Sequence, residues 1–148
     1  MFKELNIMKI FLEEPTREFN VREVARILKI SPATASKKLK NLMEKELLKE
    51  RKERLYNLYK ADIENEYYKD VKIFYNVRKI KNYGLVNSLN KFYLMPNIIL
   101  FGSCAWGMDT KDSDMDLLII SEKKKEFPYL KKFEKRLNRR LHLFIVQN

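Results

Sequence analysis

The chain has 148 residues, enough for one ordinary domain or two small ones. Its 45% hydrophobic and 12% aromatic content can bury a real core, which excludes a wholly disordered chain. Lys and Arg outnumber Asp and Glu by 31 to 20, a net +11 that attracts polyanions, either nucleic acid or an anionic membrane surface. No apolar run approaches the ~20 residues that span a bilayer. The first residues, MFKELNIMKIFLEEP, have acidic side chains threaded through them and no small-residue cleavage site, unlike a signal peptide. A single cysteine, Cys104, excludes an internal disulfide and a Cys-based zinc cluster. The expectation is a soluble, cytoplasmic protein that has no business with a membrane.

Residues 1–62 read as three helices and a hairpin. Phe2, Leu5, Met8, Phe11 and Leu12 recur at helical spacing, and Pro15 ends that element. Asn20 can cap a second helix in which Val21, Val24, Ala25 and Leu28 share a face. A short turn at Lys29–Ile30 follows. Ser31 with Pro32 behind it then starts a third helix, running to about Lys45 with Ala35, Leu39, Leu42 and Met43 inward. LLKER and LYNLY are strand-like and join at Lys52–Glu53.

Between Lys29 and Lys60 there are ten Lys or Arg against four Glu, more than half of the whole excess, with no acid between Lys29 and Asn41. This order of elements resembles the winged-helix DNA-binding family over about 60 residues. The resemblance implies that the third helix enters the major groove and the wing touches backbone phosphates. It assigns double-stranded DNA to Thr34, Ser36, Lys37, Lys38, Lys40 and Asn41 on the helix, and to Arg51, Lys52 and Arg54 on the wing. Two other readings stand beside it: a lysine-solvated helix face, and a winged helix that contacts protein.

Over 63–96 the spacing predicts a helical connector. Tyr67, Val71, Phe74, Val77 and Ile80 mark a long amphipathic helix that Gly84 breaks, and Leu85, Leu89 and Phe92 resume the stripe until Pro96. Its wide apolar stripe, with Tyr67, Phe74 and Tyr75, suggests self-association as a homodimer, which would match paired DNA half-sites.

From residue 97 the pattern is α/β. Asn97–Phe101 is an apolar strand, Ser103–Met108 a short helix, Met115–Ile120 a second strand, 129–140 a Lys-rich helix and Leu141–Val146 a third strand. Gly102 ends the first strand and Ser103 starts the helix, which places backbone N–H groups, a hydroxyl and a helix dipole where a triphosphate can dock. Asp114 and Asp116 are two apart at the start of a strand, so they share a face while Met115 and Leu117 point to the core. Paired carboxylates repel unless a cation lies between them, and oxygen donors of this kind suit Mg²⁺ or Mn²⁺ bridging to phosphates.

This constellation resembles the nucleotidyltransferase superfamily that includes DNA polymerase beta, and the minimal nucleotidyltransferases of archaea and bacteria in particular. Their Gly-Ser, Ala, Gly and Ser-Asp-x-Asp pattern reads here as Gly102-Ser103, Ala105, Gly107 and Ser113-Asp114-Met115-Asp116. The resemblance covers 97–147. It implies transfer of a nucleoside monophosphate from an NTP to a hydroxyl, with Asp114 and Asp116 as catalytic metal ligands and Gly102 and Ser103 on the β/γ-phosphates. The resulting expectation is an α+β protein: a winged helix-turn-helix (1–62), a helical connector (63–96) and a small nucleotidyltransferase-like domain with a mixed sheet (97–148).

Two positions depart from the family pattern. Active members add a third carboxylate on the next strand, where alternation here places His142, either as a softer metal ligand or as a partly buried sheet residue without a role. Trp106 stands where the minimal enzymes carry arginine, either to stack on a base or to pack. A DNA-binding regulator that binds nucleotide and metal with little or no turnover is thus set against an active transferase acting on a protein or other hydroxyl. A scaffold in which both parts serve protein contacts is a third reading.

Overall fold

A computed structural model describes residues 3–147, with side chains from Asn6 onward. The chain divides into two units, one ending at Lys69 and the other beginning at Asp70.

In the first unit, α1 (Lys3–Glu13) buries Ile7, Met8, Phe11 and Leu12 and ends ahead of Pro15. Phe2 and the side chain of Leu5, expected on the same stripe, lie outside the described residues. A two-residue strand, β1 (Phe19–Asn20), which the sequence did not announce, leads straight into α2 (Val21–Leu28). The Asn20 side chain accepts from Glu23 N at 2.9 Å, the capping bond expected of it, and Val24 and Ala25 are buried. Lys29, at φ 54°, turns the chain in the left-handed region. Ser31 then caps α3 (Pro32–Glu44) by accepting from Thr34 N, with Pro32 in the first turn and Ala35, Leu39 and Leu42 buried.

The hairpin is β2 (Leu48–Lys52) and β3 (Asn57–Ala61), antiparallel with Glu50 opposite Tyr59. Its turn spans Glu53–Tyr56, not Lys52–Glu53 alone, because Glu53 N bonds to Tyr56 O at 2.9 Å and closes a four-residue loop. β1 adds to the other side of β3, giving the sheet order β1-β3-β2. Tyr68 closes this core by donating from its buried hydroxyl to Phe11 O at 2.9 Å.

The expected connector does not coincide with the packing boundary. α4 (Glu66–Asn82) runs across it, and the face it buries shares only Ile80 with the apolar stripe read from the sequence. Tyr68, Lys72, Asn76 and Ile80, spaced four apart, are buried, whereas Tyr67 and Phe74 are about half exposed. The cause is chemical. Lys72 and Asn76 turn inward to serve a buried carboxylate, which leaves the aromatic stripe outside.

After Gly84, at φ 81°, α5 (Leu85–Tyr93) contributes Leu85, Leu89 and Tyr93 to the core of the second unit. That core also holds Cys104, Met115, Leu117, Ile119, Phe127, Phe133, Leu137 and Leu141. Its sheet has the order β4-β5-β6, from β4 (Asn97–Phe101), β5 (Met115–Ile120) and β6 (Leu141–Val146). β4 is antiparallel and β6 parallel to β5, so the sheet is mixed, as expected. One-turn α6 (Ser103–Trp106) follows β4, and α7 (Leu130–Leu137) precedes β6. α7 is shorter than the expected 129–140, because Asn138 adopts a left-handed conformation and its N–H returns to Glu134 O and Lys135 O. Among the described residues, no helix is long and apolar enough to cross a membrane.

Candidate functional site

The strand pleat positions the site. Met115, Leu117 and Ile119 alternate inward along β5, so Asp116 and the residue ahead of the strand, Asp114, turn to the opposite face and stay half exposed. Antiparallel register sets Phe101 beside Asp116, and parallel register sets His142 on its other flank. The strand end at Phe101 therefore delivers Gly102 to the carboxylate. A Cβ placed on Gly102 would lie 2.5 Å from Asp116 Oδ2, and the backbone there has φ +70°, a conformation that glycine alone adopts easily. The Gly-Ser turn and the second aspartate thus meet at van der Waals range.

His142 joins the two aspartates. Its Nδ1 lies 3.1 Å from Asp116 Oδ1 and its Nε2 3.6 Å from Asp114 Oδ2. The imidazole is half exposed and faces the carboxylates. Trp106 is 70% exposed and lies outside the core of the second unit.

Residues not anticipated from the sequence hold the loop that carries the aspartates. Asp109, fully buried, forms ion pairs through one oxygen with Lys72 Nζ at 3.2 Å and Arg139 Nη2 at 2.9 Å, and its other oxygen accepts from Asn76 Nδ2 at 2.7 Å. The same Asn76 nitrogen reaches Cys104 O at 3.1 Å, and Arg139 Nη1 donates to Ser113 O at 3.2 Å. Ser113 Oγ accepts from Thr110 N at 2.8 Å, and Cys104 Sγ lies 3.5 Å from Asp114 O. Every link in this set ends on the segment 104–114. It is a buried, charge-assisted frame behind the two carboxylates. Burial, with Asp109 adding to it, pushes the Cys104 thiol up to about 11. The available signal was the four-residue spacing of Tyr68, Lys72, Asn76 and Ile80, a helical face that is apolar only at its ends.

The hard oxygens of Asp114 and Asp116 are the donor type that Mg²⁺ or Mn²⁺ takes, with phosphate and water completing the shell. Among the described residues, no three His, Cys, Asp or Glu side chains are already arranged as a complete ligand group. The Asp116 carboxylate can lie against the Gly-Ser turn only because residue 102 lacks a Cβ.

In the first unit, Thr34, Lys37, Lys40 and Asn41 are exposed on α3, and Ser36 and Lys38 half exposed. Thr34 Oγ1 is also engaged with Ser31 Oγ at 2.8 Å. On the hairpin, Lys52 and Arg54 are exposed. Arg51 is held by a fork to Glu18, at 3.0 and 2.8 Å, and by Glu53, and these carboxylates raise its pKa further. Its charge is therefore already partly compensated.

Residues 83–146 match the family model of the nucleotidyltransferase domain. No curated protein matches the chain. A solved structure described as a possible transcriptional regulator from Methanosarcina mazei Go1 is 26% identical, with 62% of this chain and 78% of that chain covered and a TM-score of 0.43. The strand, Gly-Ser turn and Asp-x-Asp geometry and the match to the nucleotidyltransferase domain, residues 83–146, fall on the same part of the second unit.

Proposed function

We propose that the chain is a DNA-binding, regulator-like protein whose nucleotidyltransferase domain binds a nucleoside triphosphate with a divalent cation and turns it over slowly or not at all. The observation that carries the nucleotide half is the approach of Asp116 Oδ2 to the Cβ-free face of Gly102. Asp114 and Asp116 would hold Mg²⁺ or Mn²⁺, and Gly102 and Ser103 the β/γ-phosphates. A cation bound there lowers the charge on the triphosphate and polarises its α-phosphorus. His142 would orient Asp116 through the 3.1 Å contact of its Nδ1, with its Nε2 3.6 Å from Asp114. It brings no negative charge, so a site with this ring in place of a third carboxylate binds better than it reacts.

The DNA half is supported by the element order α1, β1, α2, α3, β2, β3 with the sheet β1-β3-β2, the arrangement of a winged helix-turn-helix. α3 would enter the major groove with Thr34, Ser36, Lys37, Lys38, Lys40 and Asn41, and the turn after β2 would touch phosphates with Lys52 and Arg54. Arg51 stays with Glu18 and steadies the wing. The exposed aromatics of α4, Tyr67 and Phe74, seven residues apart on one helical face, favour a homodimer that pairs two such helices over DNA half-sites.

Retention of both aspartates and of the Gly-Ser turn favours one second reading, an active minimal transferase that moves a nucleotidyl group to a protein or other hydroxyl. Incubation with ATP labelled at the α-phosphate, Mn²⁺ or Mg²⁺ and candidate acceptors separates the two. Binding without transfer is expected; transfer that disappears in Asp116→Ala would make the chain an enzyme. A gel-shift series in rising salt tests the DNA half, and an affinity indifferent to salt would remove phosphate contact.

A further inference from the structure

The open face of the second sheet continues past the carboxylates as an aromatic and aliphatic surface. Register places Phe101, Asp116 and His142 in one row across the three strands, and Ile99, Leu118 and Phe144 in the next. Phe101 is 37% exposed, Ile99 46% and Phe144 50%. The rings of Phe101 and Phe144 lie 5.4 Å apart at 59°, and that of Phe144 lies 6.4 Å from the His142 imidazole that touches Asp116. A continuous path of side chains thus leads from the acidic end of the sheet to exposed phenyl faces.

We infer that Phe144, edged by Phe101, forms the seat for the base of the bound nucleotide, a stacking ring one row beyond the row that holds Asp116. The inference rests on the nucleotide-binding reading above and names where the rest of that ligand goes. Adjacent rows on a strand face lie roughly 7 Å apart, which suits the span from an α-phosphate to its base. The extent of the surface also selects the occupant. With the next row, Asn97, Ile120 and Val146, three strands and three rows cover roughly 300 Å² by the usual strand spacings, well short of the ~800 Å² per partner of a stable protein interface. That area is ample for one base and its ribose. Phenyl faces stack on any base, so the platform adds affinity with little discrimination among nucleotides, and a purine gains more than a pyrimidine from its larger ring.

The test compares ATP with inorganic tripolyphosphate, each titrated calorimetrically in Mg²⁺ into wild type, Phe144→Ala, Phe144→Tyr and Trp106→Ala, with thermal melts to verify folding. Wild type should bind ATP more tightly than tripolyphosphate. Phe144→Ala should weaken ATP by roughly 5- to 160-fold, the range for loss of one base–aromatic stack, and leave tripolyphosphate unchanged. Phe144→Tyr, which keeps the ring, should retain the ATP preference. Equal affinities for the two ligands in wild type, or a preference that is lost in Trp106→Ala and kept in Phe144→Ala, overturns the platform while the phosphate site stands. Absence of binding by either ligand removes the nucleotide reading itself. A fall in solution mass in Phe144→Ala with its ATP preference intact makes the face an interface between copies and also overturns the inference.

Discussion

A methyl group at Gly102 would meet Asp116 Oδ2 at 2.5 Å on a backbone at φ +70°. Gly102→Ala is therefore expected to cost about 1–3 kcal/mol in urea denaturation and to weaken Mg²⁺-ATP binding, because the carboxylate must swing away to make room. Asp109 sets a second prediction. It stands between Lys72 and Arg139, both buried, and Asp109→Ala removes the carboxylate that the two cations share. Loss of one partner from a buried ion cluster costs about 3–5 kcal/mol, to be read from the denaturation midpoint. Cys104 provides a third. Its buried thiol is raised from the ordinary 9.0 to about 11, so the native state favours the neutral form. Its contribution to stability is whole below pH 9 and is lost as pH rises through 11. Labelling by a thiol reagent at pH 8 should proceed only as fast as the protein opens; rapid stoichiometric labelling of native protein would refute this burial.

At the scale of elements, α3 combines a strong start with a basic exposed face. Ser31→Ala removes the bond to Thr34 N and should lower stability by about 1 kcal/mol. Lys37→Ala and Lys40→Ala, on the exposed face, should leave the melt unchanged, weaken DNA binding across sequences and each reduce the salt slope by about one. The first-unit helices were legible because capping is local: Asn20, Ser31 and Pro32 act within one turn of themselves. β1 was not legible, since two residues carry no period and Phe19 becomes strand only when Tyr59 lies opposite. α4 was legible as a helix and misread in its facing. Periodicity locates an apolar stripe but cannot tell that a buried Asp109 thirty-odd residues away will draw Lys72 and Asn76 inward. The site divides along the same line. Gly102, Ser103, Asp114 and Asp116 declare themselves through spacing along one stretch, whereas Lys72, Asn76 and Arg139 belong to the site through tertiary contacts alone. His142 lies between: alternation placed it beside Asp116, and only the side-chain geometry shows that it reaches both aspartates.

For the molecule as a whole, the basic α3 and hairpin lie in the first unit and the paired aspartates beside the Gly-Ser turn lie in the second, which also carries the larger share of the net positive charge. The two proposed kinds of chemistry would therefore fall on separate parts of one chain. The +11 charge draws the protein to polyanions in general, so nucleotide binding at the second unit must be distinguished from attraction to basic surface. Dependence on a carboxylate makes that distinction, because removing a negative charge from a basic protein strengthens non-specific anion binding and weakens a cation-bridged site. Calorimetric titration of ATP with Mg²⁺ into wild type and Asp116→Asn is the decisive measurement. Saturable, Mg²⁺-dependent binding at one site per chain, weakened at least about tenfold, the effect of ~1.4 kcal/mol, in Asp116→Asn, is the result this account requires. Binding that is equal or tighter in Asp116→Asn, or that persists without the divalent cation, would contradict it.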